Sequence, residues 1–107
     1  MAKESEFQAK LIREIKLIFP DCIVLKNDPT YLQGMPDILI LCKDKWAALE
    51  CKRSSSSSHR PNQDYYISRL NEMSFASFIF PENKEIVLHE LQQTFESSGD
   101  ARVSECK

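Results

Sequence analysis

The chain has 107 residues, 42% hydrophobic and 28% charged, with a net charge of −2, which predicts one small domain with one modest core. No apolar run approaches the roughly 20 residues of a membrane span, and Met1-Ala2-Lys3-Glu4 is unlike a secretory leader, so an intracellular, cytoplasmic protein is expected. Cys22, Cys42, Cys51 and Cys106 lack CxxC spacing and three of them sit in apolar runs. Reduced thiols are therefore expected, rather than a disulfide framework or a zinc site.

Residues 4 to 19 predict an amphipathic helix, with Phe7, Leu11, Ile12, Ile15, Ile18 and Phe19 at helical spacing and Pro20-Asp21 ending it. Glu4 projects near the middle of that apolar face, with Gln8 one turn later, whereas Glu6 and Glu14 lie off it. Glu4 is then either a first-turn carboxylate favoured by the helix dipole or a side chain looking into the fold. Residues 22–26 predict a short strand, and 27–34 a loop rich in turn formers. Two further strands follow, Ile38 to Cys42 and Trp46 to Glu50, separated by Lys43-Asp44-Lys45. The five serines between Arg53 and His59 predict a mobile surface arm over 54–60. A helix from Pro61 to about Met73 follows, with Tyr66, Ile67, Leu70 and Met73 on one face. A strand at 75–80 precedes a last helix from Pro81 to about Phe95, with Ile86, Val87, Leu91 and Phe95 as its stripe, and a frayed tail over 97–107. The order α-β-β-β-α-β-α predicts an α/β fold, a mixed central sheet flanked by helices, in a single domain over 1–107.

The informative stretch is Gly34-Met35-Pro36-Asp37 followed, across the hairpin, by Glu50-Cys51-Lys52. Glu50 and Lys52 are two residues apart on a strand, so they share a face while Cys51 points the other way. Charged groups ending an apolar strand need compensation. A hairpin loop of two or four residues would set Asp37 across from Lys52 and Leu39 across from Glu50, gathering the charges at one sheet end. No glycine stands in the turn to accept a left-handed backbone. Two carboxylates and a carbonyl near a lysine suit a hard divalent ion such as Mg²⁺. The bland alternative is a set of salt bridges at the sheet edge, worth little. Lys26, Lys43, Lys45, Arg53, His59 and Arg60 are candidate contacts for a nucleic acid, or equally a solvated face.

Pro36-Asp37 and Glu50-Cys51-Lys52 resemble the signature of the PD-(D/E)xK nuclease superfamily. Together with Gly34 and the later Arg60-Pro61-Asn62-Gln63 they resemble its VRR-NUC group, which includes compact nucleases, often virus-encoded, that are similar to Holliday-junction resolvases. The resemblance covers roughly residues 4 to 80. It implies a restriction-endonuclease-like αβββαβ core with an added C-terminal helix. It also implies metal binding by Asp37, Glu50, the Cys51 carbonyl and a first-helix glutamate, matched by Glu4 with Glu6 as competitor. Lys52 matches the motif lysine, and Gln63 a glutamine that opens the following helix beside the site. The function implied is Mg²⁺- or Mn²⁺-dependent endonucleolytic hydrolysis of DNA, branched or junction DNA in particular, by a homodimer. No membrane and no small-molecule cofactor is expected. A catalytically silent DNA-binding domain, a flap, nicking or restriction-type nuclease, and a small interaction protein are the rival readings.

Overall fold

The computed structural model describes residues 3–28 and 30–105, with side chains through Glu96. Its elements are α1 (Glu4–Ile18), β1 (Ile23–Lys26), β2 (Ile38–Cys42), β3 (Lys45–Cys51), α2 (Pro61–Met73), β4 (Phe75–Ile79) and α3 (Lys84–Glu105). The strands form one mixed sheet in the order β1-β2-β3-β4. The first three run antiparallel, and β4 joins β3 in parallel. A parallel neighbour requires a crossover, and α2 supplies it. Among the described residues no helix is long and apolar enough to cross a membrane.

Alternation along the strands divides the sheet into two faces. Ile38, Ile40, Ala47, Leu49, Cys51 and Ile79 are buried on one of them, in a core with Leu11, Ile15 and Phe19 of α1 and its end, and Val87, Leu88 and Leu91 of α3. The other face carries Leu39, Ala48, Glu50 and Phe78, and α2 covers its β3–β4 half. Because α2 covers only half a sheet, none of its own residues is fully buried. Met73, expected on its inner stripe, is exposed. The α3 stripe also differs from expectation: the helix starts at Lys84, three residues late, so Val87, Leu88 and Leu91 turn inward and Ile86 stays exposed. Its helical backbone extends to Glu105. Cys106 and Lys107 lie outside the described residues.

Two expectations need correction at the first hairpins. Cys42 pairs with Lys45, so the β2–β3 loop is two residues long and Asp37 falls across from Glu50, not Lys52. The tight loop is possible because Lys43 itself takes the left-handed conformation at φ 60°, a position glycine fills at less steric cost. The shift is by two residues, so the shared face survives. Cys22 and Cys42 are not reduced thiols but a disulfide, Cα–Cα 4.4 Å. The β1–β2 register, Ile23 across from Leu41, places them as the next directly opposed pair, a proximity that linear spacing does not reveal. Cys51 is free and buried, as expected.

Candidate active site

The site begins where β2 starts and β3 ends. Asp37 enters β2 under two restraints from Asn27, whose backbone N–H donates to the Asp37 carbonyl at 2.8 Å and whose side-chain amide donates to the Pro36 carbonyl at 2.7 Å. The Asp37 carboxylate accepts from the Cys51 N–H at 2.8 Å, fastening the two motif halves together, and the Gln8 side chain lies near enough to favour its charged form. Glu50 faces it on the neighbouring strand and is 4% exposed. Burial, then the Asp37 charge beside it, push the Glu50 carboxyl up to about 8, with Glu4 adding in the same direction. Burial raises Asp37 as well, against the opposing pull of the Cys51 N–H and Lys52. Burial likewise pushes the Cys51 thiol up, leaving it a neutral core side chain.

Two helices begin at this strand end. At α2, Gln63 joins the charges: its Nε2 donates to Glu50 Oε2 at 3.0 Å and its Oε1 accepts from Lys52 Nζ at 2.9 Å. The same Oε1 accepts from the Arg60 N–H at 3.0 Å, fixing the start of the helix. Lys52 and Glu50 themselves stand 4.0 Å apart, so the amide mediates between them. At α1, Glu6 accepts from the Lys3 N–H at 3.1 Å and serves as the helix cap, whereas Glu4 lines the cavity. Of the two, Glu4 is the one among the cavity's lining residues. Asp37, Glu50, Lys52, Glu4 and Gln63 all line one open cavity of about 590 Å³, whose rim carries Lys3, Arg53 and Arg60.

No family model matches the sequence, and no curated protein matches it. Among solved structures, a chain described as a VRR_NUC domain protein matches with a TM-score of 0.67 over 90% of both chains, at 16% sequence identity. The chain has the fold of a VRR-NUC domain. This nuclease-type fold is the one that the PD…ExK pattern and element order imply, with the added C-terminal helix in place.

Within the VRR-NUC fold, the candidate nucleic-acid contacts divide sharply. Arg53 and Arg60 line the cavity. Lys26 lies near enough to pull Asp37 downward. Lys43 and Lys45 do not join them: they sit at the hairpin turn, about 20 Å from Asp37 at ~3.3 Å per strand residue, and Lys45 pairs with Asp44 at 3.0 Å. His59 is stacked on Phe78, centroids 3.9 Å apart, and meets Asp64 at 3.0 Å. The serine segment, expected as a mobile arm, follows a hydrogen-bonded path: Ser54 N–H to Ser57 Oγ at 3.1 Å, and Ser55 N–H and Oγ to Glu82 at 3.3 and 3.2 Å. Sequence reasoning missed Lys3, a rim residue at a helix start, and Asn62. The Asn62 side chain lies so close to Gly34 that a Cβ there would stand 2.7–2.9 Å from it. Gln8 was visible as a polar residue on an apolar stripe but carried no role.

The donors suit a hard ion that keeps part of its water. Among the described residues no three His, Cys, Asp or Glu side chains converge to enclose a metal alone. What the structure offers is a buried Glu50 carboxylate opposed to a half-buried Asp37 carboxylate, both raised by desolvation, with the backbone carbonyl of Cys51 next to Glu50 in the chain. A divalent cation relieves that repulsion, and an open cavity leaves room for its water ligands.

Proposed function

We propose that this VRR-NUC-fold chain is a Mg²⁺- or Mn²⁺-dependent endonuclease that hydrolyses DNA phosphodiester bonds and prefers branched or junction DNA. The observation that carries this reading is the meeting of Asp37, Glu50, Lys52, Glu4 and Gln63 in one cavity. Asp37, Glu50 and the Cys51 carbonyl would hold the ion directly, and Glu4, on the cavity wall, would reach it through a bound water. When bound, it supplies Lewis-acid stabilisation of phosphate charge and an acidified water. Lys52 orients the attacking water in line with the scissile phosphorus and balances charge in the transition state. Gln63 holds the Lys52 ammonium and the Glu50 carboxylate in fixed relation through its two amide atoms, and thus acts as a positioning residue. Arg53 and Arg60 hold flanking phosphates from the rim. A homodimer would present two such sites to the two strands of a junction. The setting we propose is the cytoplasm.

A second reading has one observation in its favour. Among the described residues no three carboxylates converge, and a catalytically silent DNA-binding domain that keeps the fold is consistent with that geometry. Cleavage of linear duplex, single-stranded, flap and four-way-junction DNA, with Mg²⁺, Mn²⁺ or EDTA, separates the two. Metal-dependent cutting that Asp37→Ala and Lys52→Ala both abolish is the expected result. DNA binding by folded wild type with no cutting in either metal gives the silent domain the better claim.

A further inference from the structure

The cavity at the strand ends does not stand alone. It shares Asp37, Glu50, Arg60 and Gln63 with a second depression of about 350 Å³ that reaches Gly34 and Met35. Met35 also lines a third, of about 340 Å³, whose other walls are Asn27, Asp28, Tyr31 and Leu32. The three form a trough, cationic and polar at the catalytic end and apolar at the far end. Tyr31, at that far end, is 89% exposed, and Leu32 is 42% exposed. An apolar pocket with an aromatic wall that none of the described residues covers is a binding feature.

The exposure of Tyr31 is built into the loop. Its N–H donates to the Asp28 carbonyl at 3.2 Å. The Asp28 carboxylate accepts from the Thr30 N–H and hydroxyl at 2.9 and 2.8 Å, a side-chain turn that fixes the backbone leading into Tyr31. Asn27 ties the start of the loop to Pro36 and Asp37, and Gly34 at φ 92° presses against Asn62 at the start of α2. A restrained turn has its backbone ordered before any ligand arrives, and presents Tyr31 to water.

We propose that this pocket is a nucleobase subsite: it takes the base of an unpaired nucleotide next to the scissile phosphate, stacked on Tyr31. The inference deepens the nuclease reading above and rests on it. Charge fixes which part of a strand enters. Arg60 lies between the catalytic and apolar ends and attracts a phosphate there, whereas the Asp28 carboxylate in the wall of the apolar end repels one. A strand laid along the trough therefore keeps its backbone over the cationic part and turns a flat, π-faced group into the apolar part. Stacking on an aromatic side chain accepts any base. A base inside a continuous duplex cannot reach the pocket without leaving its stack, so nucleotides already unpaired at a branch point or strand end bind with less expense of free energy. Preference for branched DNA then has a local physical origin in Tyr31, Leu32 and Met35.

The test measures binding and cutting separately. Junction DNA carrying 2-aminopurine on either side of the cleavage position is titrated, in EDTA, with wild type, Tyr31→Ala, Tyr31→Phe and Tyr31→Trp, and the same proteins are assayed for cutting in Mg²⁺. The expected result is a fluorescence change at one flanking position with wild type, Tyr31→Phe and Tyr31→Trp that Tyr31→Ala loses. Junction affinity should fall about tenfold in Tyr31→Ala, with affinity for continuous linear duplex unchanged. Tyr31 is exposed, so equal melting temperatures are expected and confirm that each variant is folded. Wild type that cuts junctions while Tyr31→Ala binds and cuts like it overturns the subsite and leaves the nuclease reading intact. A Tyr31-dependent signal in a protein that cuts nothing removes the nuclease reading and, with it, the placement of the base beside a scissile phosphate, and leaves only a base-binding pocket. A Tyr31→Ala effect on sedimentation alone, with DNA affinity unchanged, assigns the patch to protein contacts and overturns the subsite.

Discussion

At the scale of single residues, the site is a balance of desolvated charges, and Glu50 records it. Its folded pKa of about 8 lies above the unfolded carboxylate value of 4.5, so the folded state binds the extra proton between those limits. The sign follows from linkage: no penalty exists below pH 4.5, and stability is lost as pH rises toward 8. Thermal unfolding in EDTA should show the melting temperature of wild type falling over that window relative to Glu50→Gln. Mg²⁺ at pH 8 should raise it in wild type and not in Glu50→Gln. Equal pH profiles for the two proteins would remove Glu50 as the source. Gly34 makes a second single-residue prediction. Its φ of 92° and the Asn62 atoms at 2.7–2.9 Å from a Cβ position mean that Gly34→Ala should lose roughly 1–3 kcal/mol in denaturant unfolding. Because Asn62 precedes Gln63, activity should fall as well, and Asn62→Ala should restore part of both losses if the clash is the cause.

At the scale of elements, the hairpin shows what a sequence conveys and what it withholds. The strands Ile38–Cys42 and Lys45–Cys51 were legible because their apolar runs are bounded by charge, and parity was enough to gather Asp37 and Glu50 on one face. The pairing partner was not legible, because it depended on Lys43 adopting a conformation that its side chain disfavours. Replacing Lys43 with Gly should therefore stabilise the protein by about 1 kcal/mol, a rise of several degrees in melting temperature that leaves cleavage unchanged, the turn lying at the far end from the site. Glu4 was readable from its place on the α1 stripe, whereas the capping bond of Glu6 to the Lys3 N–H was not. The Tyr31 pocket left no periodic signal, because loop walls come from turn geometry rather than from spacing. The disulfide was equally hidden, being a consequence of register. Since it closes a span of 20 residues, chain-entropy reasoning predicts that Cys22→Ser with Cys42→Ser loses up to about 3 kcal/mol under oxidising conditions. Under reducing conditions the double variant should match wild type.

At the scale of the whole molecule, the net charge of −2 has to coexist with the proposed binding of a polyanion. The structure resolves this by placement: Lys3, Arg53 and Arg60 rim the cavity, while Lys43 and Lys45 stand at the remote turn and Glu82 holds Ser55. Affinity for DNA should then come from a few located phosphate contacts rather than from a diffuse positive field. Three such contacts give a slope of log affinity against log salt of roughly −3. Arg53→Ala and Arg60→Ala should each reduce that slope by about 1 and weaken binding on all substrates alike. Lys43→Ala and Lys45→Ala should leave it unchanged, although both were candidates on sequence grounds. Titrations of catalytically inactive Asp37→Ala protein with junction DNA from 50 to 200 mM salt measure all of these slopes. A large slope that every lysine and arginine shares equally would mean that the strand lies across the molecule rather than in the trough. A slope carried by Arg53 and Arg60 fixes the path of the backbone past Asp37 and Glu50, and with it the side of the scissile phosphate on which Tyr31 stands.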